Sequence, residues 1–539
     1  MRLVPHPFLA RRGTLLAAVL LLAACKGSGS SDLADSDDPG DVPDPVVLNG
    51  PETVYGLPNL DNLADDWTKQ DYDDDELVPF EIVPSAVAPA SFRLTLSGTE
   101  QSARIWHDGE IVATGGTPEV ELDGGTEPLE LRVEFKDFDT DAVLEVEELD
   151  ENGDVLQSIE VALRASPLFL NHHLQPAELI IATEVSVYGF DNDAMVEGYA
   201  NAIGERFESA NGNRYFQDPW MQDELEFGYG VLPDGQALDL VIDSIRDRGL
   251  DDYPEDVWAG EGFGVKTWGR GYASSQDSFG NLEVSPPVDD FPFGRIYYGA
   301  GRGYAPQATK LFDVLEENRI QEPFQVDISW LCVGHVDEFM TFVPDSTAPR
   351  GFRFVINDVD AAYEVLDAMD PATPLPRYAG RQNHNYDTVG ELVDDNGLRV
   401  HNEDVQLDHL DPIREQMIAE LGLLDEEVVL LPGLFEEIGY CGNTNAALIP
   451  GMANLIVADF GEGTNLFIAD PFLRSNLNDQ SSDPMIQAVQ DALPAEAELH
   501  FLDDWDVYHL GLGEVHCGSN VLRTPSPTDW WTNDLGGSK

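Results

Sequence analysis

The stretch ELIIATEVSVYG, residues 178–189, decides the fold class of the longer part of the chain. Its apolar residues are spaced closely enough for a buried β-strand. Further along, QATKLFDVLEENRI (307–320) and PIREQMIAELGLL (412–424) place apolar residues at helical spacing, with charged residues between them. Strands and helices therefore mix beyond about residue 175, which predicts an α/β domain.

A different pattern runs from about residue 80 to 165. Short runs such as LELRVEF (129–135) alternate apolar and charged residues, and turn signals such as ENG (151–153) separate the runs. Period-two alternation is typical of antiparallel strands that bury one face. The sequence therefore predicts an immunoglobulin-like β-sandwich over residues 80–170.

The charge of the chain excludes two classes of partner. Against 29 Lys and Arg stand 101 Asp and Glu, which gives a formal net charge of −72 at pH 7. Nucleic acid and anionic lipid surfaces attract basic proteins, so neither is expected to bind here. Metal ions, or peptides rich in arginine and lysine, are favoured instead. The alternative is that most of these charges only keep the surface solvated.

The N-terminus predicts export. MRLVPHPFLARR (1–12) carries three arginines, and an apolar run at 15–24 follows that is too short to span a bilayer. This is the pattern of a signal peptide over residues 1–25. Its end, LAAC (22–25), resembles the lipobox of bacterial lipoproteins, so Cys25 is predicted to carry lipid and to anchor an exported protein at a periplasmic or outer membrane face. A secreted protein with a cleaved signal is the alternative.

Residues 26–79 are predicted to be an acidic, disordered linker. DSDDPGDVPDP (35–45) contains too few apolar residues to form a core. NLDNLADDWTKQDYDDDE (59–76) offers oxygen ligands for calcium, but their spacing does not match an EF-hand loop. A solvated linker is therefore favoured over a metal site.

Beyond Cys25, the sequence contains three cysteines, Cys332, Cys441 and Cys517. An odd number in an exported protein predicts at least one free thiol. Cys332 and Cys441 could form a disulfide, but both lie in apolar surroundings, where buried free thiols are common. The sequence leaves this pairing open.

Two acidic segments predict cation binding. In NRYFQDPWMQDELEFGY (213–229), an extended backbone would place Gln222, Glu224 and Glu226 on one face and Asp223 on the other. Burying so many carboxylates among apolar residues is costly unless cations compensate. QDSFGNLEVSPP (276–287) is predicted to be a turn that can offer main-chain carbonyls to a hard cation.

SWLCVGHVDEFMTFVP (329–344) supplies a candidate for acid–base chemistry. If this segment is an extended strand, His335 and Asp337 share one face among apolar neighbours. His335 is then a partner for Cys517 in GEVHCGSN (513–520), whereas His516 would point away from Cys517 in an extended backbone. A papain-like cysteine protease is the alternative, but the surrounding carboxylates favour a positively charged substrate.

Five segments resemble one family in wording and in order: WMQDELEFGY (220–229), DSIRDRGL (243–250), DSFGNLEVSPP (277–287), LCVGHVDEF (331–339) and GEVHCGSN (513–520). They resemble the protein-arginine deiminases, over most of residues 175–539. The resemblance implies that 175–539 is a pentein domain, a five-fold pseudosymmetric α/β propeller, behind an immunoglobulin-like domain. It also implies calcium-dependent conversion of arginine in proteins or peptides to citrulline and ammonia.

The resemblance carries roles over to individual residues. It implies that Cys517 is the nucleophile and His335 the acid/base, and that Asp223 and Asp337 bind the substrate guanidinium. Trp220 matches the aromatic residue that packs along the substrate side chain.

Further matches concern the substrate backbone. Arg248 matches the arginine that holds it, and Arg246 matches the neighbouring arginine. Some vertebrate members have another arginine six residues before the nucleophile, where this chain has Gly511, so peptide preference does not carry over.

Calcium ligands also follow from the resemblance alone. One calcium ion would bind near the active site through Gln222, Glu226, Glu283 and the main-chain oxygens of Phe279 and Leu282. A second would bind through Glu224, Asp243, Ser244 and Asp247, the last replacing a family asparagine.

Two other functions remain open at this stage. The chain could deiminate free arginine or another small guanidine, which requires a closed pocket. It could also be a catalytically inactive, calcium-loaded surface binding protein.

Overall fold

A computed structural model of the chain describes most of the two predicted regions. The described residues are 47–60, 77–98, 103–116, 119–187, 189–246, 248–260, 262–267, 273–300, 315, 318, 320–381 and 385–532. The predicted signal peptide with Cys25, most of the predicted linker, Asp247 and most of the predicted helix at 307–320 lie outside them. Within the described residues, no helix is long and apolar enough to cross a membrane.

The described residues of the N-terminal region form nine strands in two sheets. They are β1 (Thr53–Gly56), β2 (Val78–Ile82), β3 (Ser91–Leu96), β4 (Ala103–His107), β5 (Glu110–Thr114), β6 (Val120–Asp123), β7 (Leu129–Phe135), β8 (Asp141–Leu149) and β9 (Val155–Ala165). The sheet orders are β1-β9-β8-β3-β6 and β2-β7-β4-β5. All neighbours pair antiparallel except β1 and β9, which are parallel.

The period-two alternation has the predicted effect here. Leu129, Leu131 and Val133 of β7 are buried, whereas the charged residues between them are exposed. Side chains from both sheets, such as Leu94 of β3 and Leu131 of β7, share one apolar cluster. The core therefore lies between the sheets.

The predicted linker boundary is wrong in one respect. Strand β1 (Thr53–Gly56) falls inside 26–79, yet it pairs with Ala162–Ala165 of β9. Leu48 and Val54 are buried in the same core. This part of the chain is short of apolar residues overall, but two well-placed ones are enough to add an edge strand.

The second region mixes strands and helices, as predicted. Its strands are β10 (Phe169–Leu170), β11 (Ala177–Glu184), β12 (Ser186–Val187), β13 (Phe190–Asp191), β14 (Phe207–Asn211), β15 (Leu225–Val231), β16 (Ala237–Asp243), β17 (Phe263–Lys266), β18 (Leu282–Val284), β19 (Ile296–Ala300), β20 (Phe324–Asp327), β21 (Met340–Pro344), β22 (Phe352–Asp358), β23 (Val428–Pro432), β24 (Phe435–Ile438), β25 (Thr444–Ala447), β26 (Ile456–Asp459), β27 (Thr464–Ala469), β28 (Glu498–Leu502) and β29 (Ser519–Arg523). The buried stretch of 178–189 forms β11.

The described α-helices all lie in this second region. They are α1 (Asp193–Ile203), α2 (Met221–Glu224), α3 (Tyr253–Val257), α4 (Val359–Ala368), α5 (Val389–Val393), α6 (Asn396–Val405), α7 (Asp411–Leu421) and α8 (Pro484–Ala492). The helix predicted at 412–424 is α7. It has a proline in its first turn and ends at Gly422, whose φ of 60° is left-handed.

Five small sheets of this region repeat one pattern. In each, a central strand pairs antiparallel with one neighbour and parallel with the other. The central strands are β11, β16, β19, β22 and β27. Strand β11 joins both ends of the region, because its antiparallel partner is the late strand β29.

The cysteine pairing that the sequence left open is present. Cys332 and Cys441 form a disulfide with a Cα–Cα distance of 5.5 Å, across a sequence separation of 109 residues. Cys517 is buried and free, which confirms the prediction of a free thiol.

Replacing both Cys332 and Cys441 with serine should lower the free energy of unfolding by about 2–5 kcal/mol, because the unfolded chain regains the freedom of a long loop. Urea denaturation of the double variant measures this. Wild-type protein under reducing conditions should match the double variant, and Cys517→Ser should keep the wild-type response to reductant. An unchanged unfolding midpoint in the double variant would contradict a stabilising disulfide.

Candidate active site

Cys517 lies in the turn that leads into β29, and Asn454 fixes that turn. The Asn454 Oδ1 atom accepts hydrogen bonds from the main-chain N–H groups of His516 (3.0 Å) and Cys517 (3.3 Å). Its Nδ2 atom lies 3.2 Å from Cys517 Sγ and donates to the Asp337 carbonyl at 2.9 Å. One buried amide thus fixes the position of the thiol relative to the Asp337 backbone. No pattern around residue 454 pointed to this role.

The strand predicted over 329–344 is wrong in its first half. Val336–Glu338 is a single 3-10 turn, and only Met340–Pro344 is extended. The Glu338 side chain causes the turn, because its Oε1 atom accepts from the main-chain N–H groups of Gly334 and His335. The turn nevertheless brings His335 and Asp337 to the same site, as predicted.

Gly280 marks the point where three predicted residues meet. A Cβ atom built on Gly280 would lie 2.6 Å from His335 Nδ1, 3.3 Å from Asp223 Oδ1 and 3.3 Å from Asp337 Oδ1. His335 Nδ1 and Asp337 Oδ1 are buried and have no hydrogen-bond partner. Because buried polar atoms are normally paired, these atoms are suited to receiving the N–H groups of a ligand.

The tautomer of His335 follows from its other nitrogen. His335 Nε2 lies 2.8 Å from the Ser275 carbonyl, which can only accept, so Nε2 carries the hydrogen. Nδ1 is then the nitrogen that can take up or release a proton, and it lies 3.6 Å from Asp223 Oδ1. Ser275, like Gly280, was not predicted as a site residue.

Asp337 joins the thiol to a second histidine. Its Oδ2 atom lies 2.9 Å from His516 Nδ1 and 3.4 Å from Cys517 Sγ. The prediction that His516 points away from the site is wrong, because residues 515–518 form a turn rather than an extended strand. Burial alone would lower the pKa of His516. The negative charges of Glu283 and Asp337 outweigh burial, so the pKa lies above its ordinary value.

The Cys517 thiol is neutral in these surroundings. Burial raises its pKa well above the ordinary value, and the negative charges of Asp337 and Asp223 raise it further. A thiolate at this position therefore requires a positive charge nearby.

Asp223 lies in α2 (Met221–Glu224), so the strand predicted through 222–226 begins only at Leu225. Its Oδ2 atom accepts from Arg248 Nη1 at 2.7 Å, and Arg246 Nη1 is 3.8 Å away. Arg248 also binds Asp218 through two hydrogen bonds of 2.8 and 3.1 Å. Both predicted substrate-binding arginines therefore lie at the site, with Arg248 already engaged by Asp223.

Trp220 borders the thiol turn. A Cβ atom on Gly513 would lie 2.4 Å from the Trp220 ring and 3.1 Å from Cys517 Cβ. A Cβ atom on Gly511 would lie 2.9 Å from the same ring. The two glycines let the indole pack against this turn, and a larger residue at 511 would displace it.

The first predicted calcium site is partly assembled. Gln222 Nε2 lies 3.0 Å from Glu226 Oε2 and 3.5 Å from the Phe279 carbonyl. Glu283 lines the same small cavity as Gln222 and Glu226, and it directly follows Leu282, the first residue of β18. Burial, and then the charge of Glu283, raise the pKa of Glu226 well above its ordinary value. This crowding of carboxylates suits a cation.

Beside the second predicted calcium site lies a further carboxylate that sequence reasoning missed. Glu224, Asp243 and Asp251 each offer a carboxylate oxygen, and these atoms all lie within 4.8 Å of one another. Neither carboxylate oxygen of Glu224 has a hydrogen-bond partner, and burial together with Asp243 raises the Glu224 pKa to about 9. Ser244 follows Asp243 and donates its main-chain N–H to the Glu224 carbonyl.

Comparison with known proteins identifies the family of this chain. The sequence model of a family described as protein-arginine deiminase (PAD) matches residues 155–532. The chain belongs to the protein-arginine deiminase family.

Individual relatives are vertebrate proteins of the same name. Protein-arginine deiminase type-4 of Rattus norvegicus is 32% identical over 389 residues, which cover 69% of this chain and 56% of the relative. The type-4 protein of Mus musculus is 31% identical over 449 residues, covering 76% and 64%. The type-1 protein of Mus musculus is 32% identical over 395 residues, covering 69% and 57%. The chain thus spans somewhat more than half the length of these relatives.

The raised pKa of Cys517 predicts a pH dependence for alkylation. In chelator and without substrate, the rate of reaction with iodoacetamide should rise with pH and reach half its maximum above the ordinary thiol value of about 8.5, because only the thiolate reacts. Mass spectrometry of the peptide containing Cys517 follows the reaction. A midpoint at or below the ordinary value would contradict the electrostatic picture, and unfolded protein provides the reference.

Proposed function

We propose that this chain is a calcium-dependent protein-arginine deiminase that converts arginine in proteins or peptides to citrulline and ammonia. The observation that supports this most is the convergence of His335 Nδ1, Asp223 Oδ1 and Asp337 Oδ1 on the point beside Gly280. A guanidinium group is planar, always protonated and rich in N–H donors, so two carboxylates with one open oxygen each suit it. Cys517 lies on the Asp337 side of this space.

The substrate would bring a positive charge next to the Cys517 thiol, which favours the thiolate form. A guanidinium held between Asp223 and Asp337 places a positive charge beside Cys517, which lowers the pKa of the thiol relative to the empty site. The carboxylates also localise charge on the two nitrogens that they bind, so the central carbon becomes more electrophilic. Lysine has no such carbon and should not react.

The reaction then needs two steps. In the substrate complex Cys517 has given its proton to solvent and His335 is protonated. The thiolate sulfur bonds to the guanidinium carbon, a C–N bond breaks, and His335 gives its Nδ1 proton to the departing ammonia. A thiouronium intermediate remains on Cys517. Neutral His335 then takes a proton from water, whose oxygen bonds to the same carbon, and the C–S bond breaks to release citrulline and Cys517.

Calcium is part of the proposal because its predicted ligands fit. Gln222, Glu226, Glu283 and the carbonyls of Phe279 and Leu282 would hold one ion. A second ion would bind through Glu224, Asp243, Ser244, Asp251 and Asp247, the last of which lies outside the described residues. Bound calcium would neutralise the crowded carboxylates. One of them, Glu224, has no hydrogen-bond partner on either oxygen.

We also propose the finer architecture that the family implies. The five sheets that repeat one mixed pairing pattern support a pentein propeller for 175–539. The two sheets with a shared core support an immunoglobulin-like domain before it, which would brace the propeller or position substrates. Export and lipid attachment at Cys25 remain part of the proposal on the strength of the signal-peptide pattern over residues 1–25 and its lipobox-like end, LAAC.

The decisive experiment measures citrulline release by purified protein from an arginine blocked at both termini, beside free arginine, with calcium and with chelator. We expect calcium-dependent turnover of the blocked substrate and none with Cys517→Ser. Preference for free arginine would favour a deiminase of small guanidines instead. Absence of turnover on both substrates, in folded protein with calcium, would favour an inactive binding protein.

Gly280→Ala tests the geometry of the site. The added methyl group would occupy the point that His335, Asp223 and Asp337 surround, so turnover should fall by about 100-fold. Gly439→Ala is the matched control, because a Cβ atom there has no neighbour within 4 Å. Equal activity in both variants, with unchanged thermal stability, would rule out this point as the guanidinium site.

A further inference from the structure

His173, Glu283 and His516 form a cluster next to the Cys517 turn. The proposed reaction uses neither of the two histidines. His173 Nε2 is 3.0 Å from Glu283 Oε2, and His516 Nε2 is 3.4 Å from Glu283 Oε1. The ligand atoms of all three residues lie within 4.8 Å of one another. His173 was not singled out in the sequence, because nothing near it suggests metal chemistry.

Both histidines are oriented as metal ligands usually are. The other ring nitrogen of His173, Nδ1, forms a 2.8 Å hydrogen bond with Thr341 Oγ1. The Nδ1 atom of His516 forms a 2.9 Å hydrogen bond with Asp337 Oδ2. A carboxylate or hydroxyl on one nitrogen fixes the ring and leaves the opposite nitrogen to face a metal. Here both Nε2 atoms face Glu283.

The cluster borders a small cavity, and its backbone is anchored by hydrogen bonds. The three residues line a cavity of about 20 Å³, which exceeds the roughly 10–15 Å³ that one water needs. Arg523 also lines it, but its guanidinium donates to the main-chain carbonyls of His173, Gln175 and Val457. Arg523 therefore anchors the backbone of His173.

We propose that His173, Glu283 and His516 form a binding site for a divalent transition-metal ion, with zinc as the ion that fits best. Calcium prefers oxygen ligands, whereas two imidazole nitrogens and one carboxylate are a common zinc set with a fourth position open. Because Glu283 is also a proposed calcium ligand, zinc and calcium compete for it. Zinc bound here would hold Glu283 away from calcium and so inhibit the enzyme.

The zinc site itself does not depend on the proposed deiminase activity, and only the inhibition does. Isothermal titration calorimetry with zinc chloride, on the full-length chain freed of any histidine tag and of other metals, measures it directly. We expect one zinc site whose dissociation constant rises by roughly 10- to 100-fold or more in His173→Asn and about 10-fold in Thr341→Val, which loses only the hydroxyl that orients His173. His401→Asn, which removes a histidine elsewhere, should bind zinc as wild type does.

Competition is tested by repeating the titration in excess calcium, which should weaken zinc binding in the wild type. Absence of zinc binding, or equal binding by wild type and both cluster variants, would overturn the site. Zinc binding that calcium leaves unchanged would overturn the shared use of Glu283. Since calorimetry needs no turnover, a protein that binds zinc but releases no citrulline would contradict only the proposed activity. Thermal unfolding with and without zinc checks that His173→Asn is folded, and Thr341→Val keeps the test open if it is not.

Discussion

The burial of several carboxylates around one thiol is the constraint on which the rest of the site depends. Burial, and then the charges of Asp337 and Asp223, raise the pKa of Cys517, and burial followed by the charge of Glu283 raises the pKa of Glu226. A cation that entered such a site would offset this crowding of negative charge. A guanidinium substrate and bound metal ions would both offset this buried negative charge. A cationic substrate and a calcium requirement are therefore proposed together.

The fold meets this constraint by bringing distant residues together on short, rigid turns. Asp223 comes from the single turn of α2, His335 from the 3-10 turn before β21, and Cys517 from the turn before β29. Buried amides connect these turns: Asn454 links Cys517 to Asp337, and Asn520 Nδ2 donates to the Leu225 carbonyl at 2.8 Å. Neutral amides suit this role because they satisfy backbone groups without adding charge.

Sequence reasoning named residues that the structure brings together, but not the geometry that unites them. Apolar periodicity was sufficient for β11, β7 and α7, since in these elements burial and backbone conformation agree. It failed at 222–226 and 335–338, where capping by Glu338 and a single helical turn override an alternating pattern. Asn454, Asp251 and His173 could not be found, because each acts through contacts with residues far away in the sequence.

The two aspartates show how one type of side chain serves two purposes at once. Asp223 gives Oδ2 to Arg248, whose position is fixed by the bidentate contact with Asp218, and turns Oδ1 toward His335. Asp337 gives Oδ2 to His516 and Cys517 and leaves Oδ1 without a partner. In each carboxylate one oxygen holds the side chain in place and the other is left for the proposed substrate. A guanidinium presents its N–H donors in one plane, so two single oxygens near one point suit it while each aspartate stays held in place. An ammonium group is a compact point charge with no planar set of donors to match that arrangement, which is why arginine rather than lysine is the proposed substrate.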